Sequence, residues 1–225
     1  MLEPESLQAA VLAAAGEIQS LVNELGLSSR GAPSAKLVFE SDLKASLRRA
    51  LQFGRLEFVA VDVPLARQGA PSGPVDVVVA GRTRTPQLAL EVAWHPRGED
   101  HAGFAQRVLA DIARMGLARA REGAEQAAVL VAAPPRFWRW LPAYAEEHTM
   151  FAALAAGEET PATVRADVMA ADGSGFPWAS LPERELPERL WTSLLLATGV
   201  RSPWADAELR LLETKGLGGV AAVGD

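Results

Sequence analysis

Two apolar runs, Val75–Ala80 and Leu88–Trp94, dominate the hydrophobic pattern and are joined by a turn that holds Gly81 and Pro86. Short, nearly unbroken apolar runs bounded by turn residues predict strands buried on both faces. Each run carries one carboxylate, Asp76 in the first and Glu91 in the second. Side chains alternate along a strand, so Ala89, Glu91, Ala93 and His95 share one face, and Leu90, Val92 and Trp94 the other; Asp76, Val78 and Ala80 share a face in the first run. A buried carboxylate is costly unless it is paired or coordinates something, and two on adjacent strands repel. Two arrangements relieve that cost. One is a divalent-metal site; the other is a pair of strand-end carboxylates held by backbone N–H groups or an arginine.

Helical periodicity frames these strands. Leu7, Val11, Ala14, Ile18, Leu21 and Leu25 alternate by four and three, which predicts an amphipathic helix over residues 5–25 with Gly26 as its stop. That seam suits packing on its own domain or, as the sharper alternative, a homodimer contact. A second helix is expected over about Ser34–Gln52, with Phe39, Leu43, Leu47 and Leu51 as its stripe and Glu40–Lys44 as a weak surface i,i+4 ion pair. Arg55–Leu65 reads as a strand with Leu56, Phe58 and Ala60 as its apolar positions. Glu99–Gly123 reads as a long helix with Phe104, Val108, Ile112 and Met115 inward and Arg107, Asp111 and Arg114 on other faces. Ala127–Ala133 is a wholly apolar run bounded by prolines, hence a buried strand. Residues 136–160 look partly helical, and Thr163–Ala171 is one more candidate strand before a turn at Asp172–Gly175. Two helices are expected to end the chain: Pro187–Thr198, with Leu190, Trp191, Leu194 and Leu195, and a second from Ser202–Pro203 to Gly216.

Composition narrows the chemistry. The 225 residues include no cysteine, which removes disulfides, thiolate metal sites and a cysteine nucleophile. With no apolar run near about 18 residues and no basic segment leading into an apolar core at the start, a cytoplasmic protein without a membrane partner is expected. A net charge of −6 argues against a general nucleic-acid-coating protein, though not against a local basic patch. Arg82, Arg84, Arg107, Arg114, Arg119 and Arg121 are candidates for one, and solvated helix and turn faces account for them equally well. No P-loop, dinucleotide fingerprint or HExxH motif occurs, and Gly173–Gly175 lacks the setting of a hydrolase elbow. Of the three histidines, His101 beside Glu99–Asp100 reads as a helix-start feature rather than a metal ligand.

The order helix, strand, strand, strand, helix, strand, with Glu40 in the helix, Asp76 on the second strand and Glu91 on the third, resembles the core of the PD-(D/E)xK nuclease superfamily. The resemblance spans about residues 34–134, with Gln106 and Arg107 where family members often place a supporting polar residue. The stretch EVAWHP is similar to the third strand of certain type II restriction enzymes. It implies an α/β fold with a restriction-endonuclease-like core, a mixed sheet flanked by helices, and N- and C-terminal helical additions. The implied layout is residues 1–33 as an N-terminal helix and loop, 34–134 as the core, 135–216 as an elaboration packed on it and 217–225 as a flexible tail. The family's chemistry implies Mg²⁺ held by Asp76 and Glu91 and hydrolysis of DNA phosphodiesters, with Glu40 as an outer acid. The chain departs from the motif at Ala93, where the family carries a lysine. Lys44 or Lys36, or else His95 on the Glu91 face, is the candidate replacement. Two readings follow: a metal-dependent nuclease, or a nuclease-derived domain that has lost catalysis and serves in binding or assembly.

Overall fold

A computed structural model describes residues 3–28, 40–53, 58–64, 74–80, 86–95, 100–156, 189–201 and 206–218. Expectations that fall wholly on other residues, including the strand at Thr163–Ala171, the turn at Asp172–Gly175, Phe39, Lys36, Arg82 and Arg84, lie outside the described residues.

The two central runs are strands β2 (Pro74–Ala80) and β3 (Pro86–Trp94), paired antiparallel with Val77 opposite Leu90 and Val79 opposite Leu88. Before them, β1 (Phe58–Pro64) lies antiparallel on β2 at the sheet edge. Val59 and Val61 pack on the side covered by α1 and α2 and Val63 on the side covered by α3, while Phe58 and Ala60, named as apolar positions above, are exposed. Valines are bulkier than Ala60 in sum and pack better on the half-covered edge. After β3 comes helix α3 (His101–Glu122; α1 and α2 are placed below), which returns the chain to β4 (Gln126–Ala133), parallel to β3 and buried along its whole length. Asp100 caps α3 by accepting from the Gly103 N–H at 2.6 Å, and Gly123 closes it in the left-handed region at φ 70°.

Helices cover both faces of the sheet. On one side lie α1 (Pro4–Ser28) and α2 (Glu40–Phe53), with Leu7, Val11, Ala14, Ile18, Leu43, Leu47 and Leu51 buried against Val77, Val79, Leu88 and Leu90. The N-terminal seam therefore packs within its own chain. On the other side, α3, α4 (Pro135–Glu147) and the short α5 (Ala152–Ala156) bury Phe104, Val108, Ile112 and Met115 with Phe137 and Phe151 against Val78, Ala89 and Ala93. No helix among the described residues is long and apolar enough to cross a membrane.

The chain end overturns the expectation of two helices. Arg189–Arg201 is strand β5 and Asp206–Gly218 is strand β6, a hairpin that joins the sheet so that its order is β1-β2-β3-β4-β6-β5. The segment DAELRLLETKG is rich in helix formers, yet Ala207, Leu209 and Leu211 also alternate, and β6 pairs antiparallel with β4 over Ala128–Ala133. Without β6, the wholly apolar β4 would be left as an edge with unpaired backbone groups, so tertiary pairing overrides local propensity. A bulge between Leu194 and Leu196 breaks the register of β5, which blurred its alternation in the sequence. The described residues after α5 thus complete the sheet rather than adding helices, and β6 takes in Leu217 and Gly218, which had been assigned to the tail.

Candidate functional site

The antiparallel ladder of β2 and β3 begins at Val77–Leu90; one step further along, Asp76 faces Glu91. There the strands stop exchanging backbone bonds, and Asp76 Oδ2 accepts the Val92 N–H at 2.7 Å in place of a ladder carbonyl. Opening the sheet at this point lets helices on both faces reach the same two acids.

From the first face comes α2. Its residues Glu40 and Lys44 sit one turn apart, and Lys44 Nζ lies 2.9 Å from Glu40 Oε1 and 2.5 Å from Asp76 Oδ1. Glu40 Oε2 also accepts from the Trp94 N–H at 3.4 Å, tying the helix start to the end of β3. The expected weak surface pair is therefore a half-buried bridge into the site. Burial disfavours the Lys44 ammonium, but hydrogen bonds to Asp76 and Glu40 and their negative charges outweigh it and hold its pKa well above the ordinary value.

From the opposite face comes α3. Arg114 Nη2 lies 2.9 Å from Glu91 Oε1 and 2.9 Å from Asp111 Oδ1. Arg107 Nη2 donates to the Trp94 carbonyl at 3.3 Å. These side chains lie on a different stripe of α3 from the buried Phe104, Val108, Ile112 and Met115, and that stripe reaches the end of β3. Their spacing, 107, 111 and 114, is one heptad stripe, and that was the signal available in the sequence.

Glu91 is almost fully buried, and burial pushes its carboxyl up to about 9. Arg114 opposes that rise, while the Asp76 charge and a hydrogen bond shared with Asp76 add to it. Asp111 is raised to about 6, again by burial first, with Arg114 opposing and Asp76 contributing. Glu91 thus favours its protonated form at neutral pH.

The remaining expectations divide. Val92 N–H and Arg114 hold the two acids in the manner of the strand-end alternative, and Lys44 brings an ammonium to Asp76. Ala93, on the Glu91 face, is buried among Phe104, Val108 and their neighbours on α3. His95 lies four residues beyond Glu91, about 13 Å along the strand. Its ring is buried, with Nε2 2.9 Å from His101 Nδ1 and with Phe104 and Phe137 packed around it. Gln106 is half-buried on α3. Of the α3 arginines whose side chains are described, Arg119 donates to the Thr214 carbonyl, and Arg107 and Arg114 are engaged as described.

The donor set suits a small hard cation. Mg²⁺ is usually held by one or two carboxylates, with water and phosphate oxygens completing its shell. Asp76 and Glu91 offer facing carboxyl groups, and the buried Glu91 Oε1 accepts no aligned hydrogen bond despite its closeness to Arg114. No group of three or more potential ligands converges among the described residues. Searches against protein-family models, curated proteins and solved structures find no match for this chain.

Proposed function

We propose that this chain is a metal-dependent nuclease of the restriction-endonuclease-like fold that hydrolyses phosphodiesters of DNA. One observation carries the reading: Lys44 of α2 places its ammonium against Asp76, beside Glu91, and so supplies from a helix the cation that Ala93 lacks. The mixed sheet, with a meander β1–β2–β3 and β4 parallel to β3 after α3, agrees with the core expected of that fold.

Asp76 and Glu91 would hold Mg²⁺, which when bound polarises a phosphate and acidifies a water. The chain's own groups do the rest. Lys44 stays protonated, so its part is to orient the attacking water and offset charge that grows on the phosphate, not to take up a proton. Glu40 anchors Lys44 from the solvent side. Arg114 holds Glu91 in place and, by its charge, favours the ionised form that a cation needs.

A second reading, a nuclease-derived domain that binds without cleaving, is favoured by one observation. Both acids already have protein partners, Asp76 on Lys44 and Val92 and Glu91 on Arg114. Cleavage of end-labelled DNA, single-stranded and duplex, with Mg²⁺, Mn²⁺ or EDTA separates the two. The nuclease reading requires metal-dependent products that vanish in Asp76→Asn and Glu91→Gln. Products absent from wild type under every metal condition leave the binding domain.

A further inference from the structure

Glu91 Oε1 is an acceptor without a hydrogen bond, on a side chain only 2% exposed. Buried carboxyl oxygens in folded proteins are nearly always bonded, so this one needs a reason. A donor is at hand. Arg114 Nη2 lies 2.9 Å away, which is hydrogen-bond distance, so only the direction of the N–H is wrong. The same nitrogen lies 2.9 Å from Asp111 Oδ1, and there it does donate. Nη2 carries two N–H groups and could serve both acids. It serves Asp111 and gives Glu91 its charge alone.

The cause is spacing on α3. Asp111 and Arg114 are three residues apart, hence neighbours on one helix face, and their contact is made within a single rigid element. Glu91 comes from a different element, and strand pairing fixes its place. It stands opposite Val129 of β4, and the Val92 N–H beside it is held by Asp76. The guanidinium is therefore aimed by its helix neighbour and not by the strand. Were Asp111 unable to accept, the fork would be free to turn an N–H onto Glu91 Oε1 and satisfy the orphan. Charge-assisted, aligned bonds of that kind are the strong ones. A cation would have to break such a bond before Glu91 could become its ligand.

We infer that Asp111 is a positioning residue for Glu91: by taking the aligned N–H of Arg114 it keeps the guanidinium from closing on Glu91 Oε1 and leaves that oxygen open to a divalent cation. Asp111 has this role only on the nuclease reading, which places the cation at Glu91; the added element is what keeps that place accessible. Arg114 then acts on Glu91 through its charge without occupying the oxygen. A cation arriving at Oε1 displaces no aligned hydrogen bond, and Arg114 keeps its partner on the helix throughout. The role also accounts for Asp111 itself, an acid only 15% exposed that no step of the proposed cleavage uses.

The test is isothermal titration calorimetry with Mn²⁺ on wild type, Asp111→Ala, Arg114→Met and the double variant, with circular dichroism to verify each fold. Asp111→Leu and Arg114→Gln stand in for either single variant that does not fold. Asp111→Ala is expected to weaken Mn²⁺ binding about tenfold or more, the usual effect of removing a group that orients a metal ligand. Arg114→Met still binds, and adding Asp111→Ala to it changes the affinity by no more than about twofold, because the group that Asp111 restrains is gone. An equal loss in both backgrounds would make Asp111 a ligand or a distant charge and overturns the inference. So does no loss in either background, or an Arg114→Met protein that no longer binds. Mn²⁺ bound by none of the four proteins removes the cation site, and the nuclease reading falls with the inference. DNA cleavage by the same proteins keeps the two apart. Metal-dependent cleavage by wild type without the coupling leaves the nuclease and refutes the role of Asp111; the coupling without any cleavage leaves that role at a cation site and refutes the nuclease.

Discussion

Lys44 Nζ on α2 and Asp76 Oδ1 on β2 meet at 2.5 Å although the two residues are 32 positions apart, and that contact joins the helix on one face of the sheet to the acid pair. Lys44→Met keeps the side chain's length and apolar stem but removes the charge. It leaves Asp76 and Glu40 without their cation, and a loss of stability of about 1–3 kcal/mol is expected in urea unfolding. Because the pKa of Lys44 is raised in the folded state, its contribution is fully present below 10.5 and is lost only as pH climbs through the higher folded value. The difference between wild type and Lys44→Met should therefore be flat across neutral pH. On the proposed nuclease reading, metal-dependent cleavage should fall by about 10²–10³-fold. A variant with wild-type activity would show that the ammonium is structural alone.

Glu91 and Asp111 carry the opposite pH signature. Both carboxyls have raised folded values, so the stability their protonated forms contribute is complete below the ordinary values, 4.5 and 3.8. It is lost as pH rises, through about 6 for Asp111 and about 9 for Glu91. Calorimetry should show Tm falling through this window, and Glu91→Gln, neutral at every pH, should flatten the upper part. Mg²⁺ requires ionised carboxylates, so on the proposed metal reading a rise in Tm on adding Mg²⁺ should grow with pH over the same window and be absent from Glu91→Gln. A Tm profile shared by wild type and Glu91→Gln would place the titrating group elsewhere.

A lysine at position 93 should do harm. Ala93 is 2% exposed and surrounded by the apolar side chains of α3. Ala93→Lys would force a long ammonium into that contact, at a cost of about 1–3 kcal/mol from overpacking alone. With Lys44 already at Asp76, no gain in cleavage is expected. A more active and equally stable Ala93→Lys protein would mean that α2 does not supply the cation.

The N-terminal seam separates two assemblies. Val11 and Ile18 are buried within the chain, against the core shared with α2 and the sheet. Val11→Asp/Ile18→Asp should therefore unfold the protein, seen as loss of the cooperative transition. A folded monomer arising from a wild-type dimer in sedimentation velocity would instead assign the seam to a partner.

Much of this molecule was written locally. The β2–β3 hairpin, the capped helix α3, the buried run of β4 and the faces of Asp76 and Glu91 follow from alternation, periodicity and end signals, because these are set by residues within a few positions of one another. Glu40, Lys44, Asp76 and Glu91 were each visible as candidates, although Lys44 stood beside Lys36 and His95 with nothing to rank them. Tertiary structure alone decided that Lys44 crosses to Asp76 and that Arg114 reaches Glu91, since each depends on where α2 and α3 sit over an opening in the sheet. It also turned DAELRLLETKG into a strand: the backbone of β4 needed a partner, and a helix there would have left that edge unpaired. Local preference for helix is worth tenths of a kcal/mol per residue, and a row of buried hydrogen bonds outweighs it.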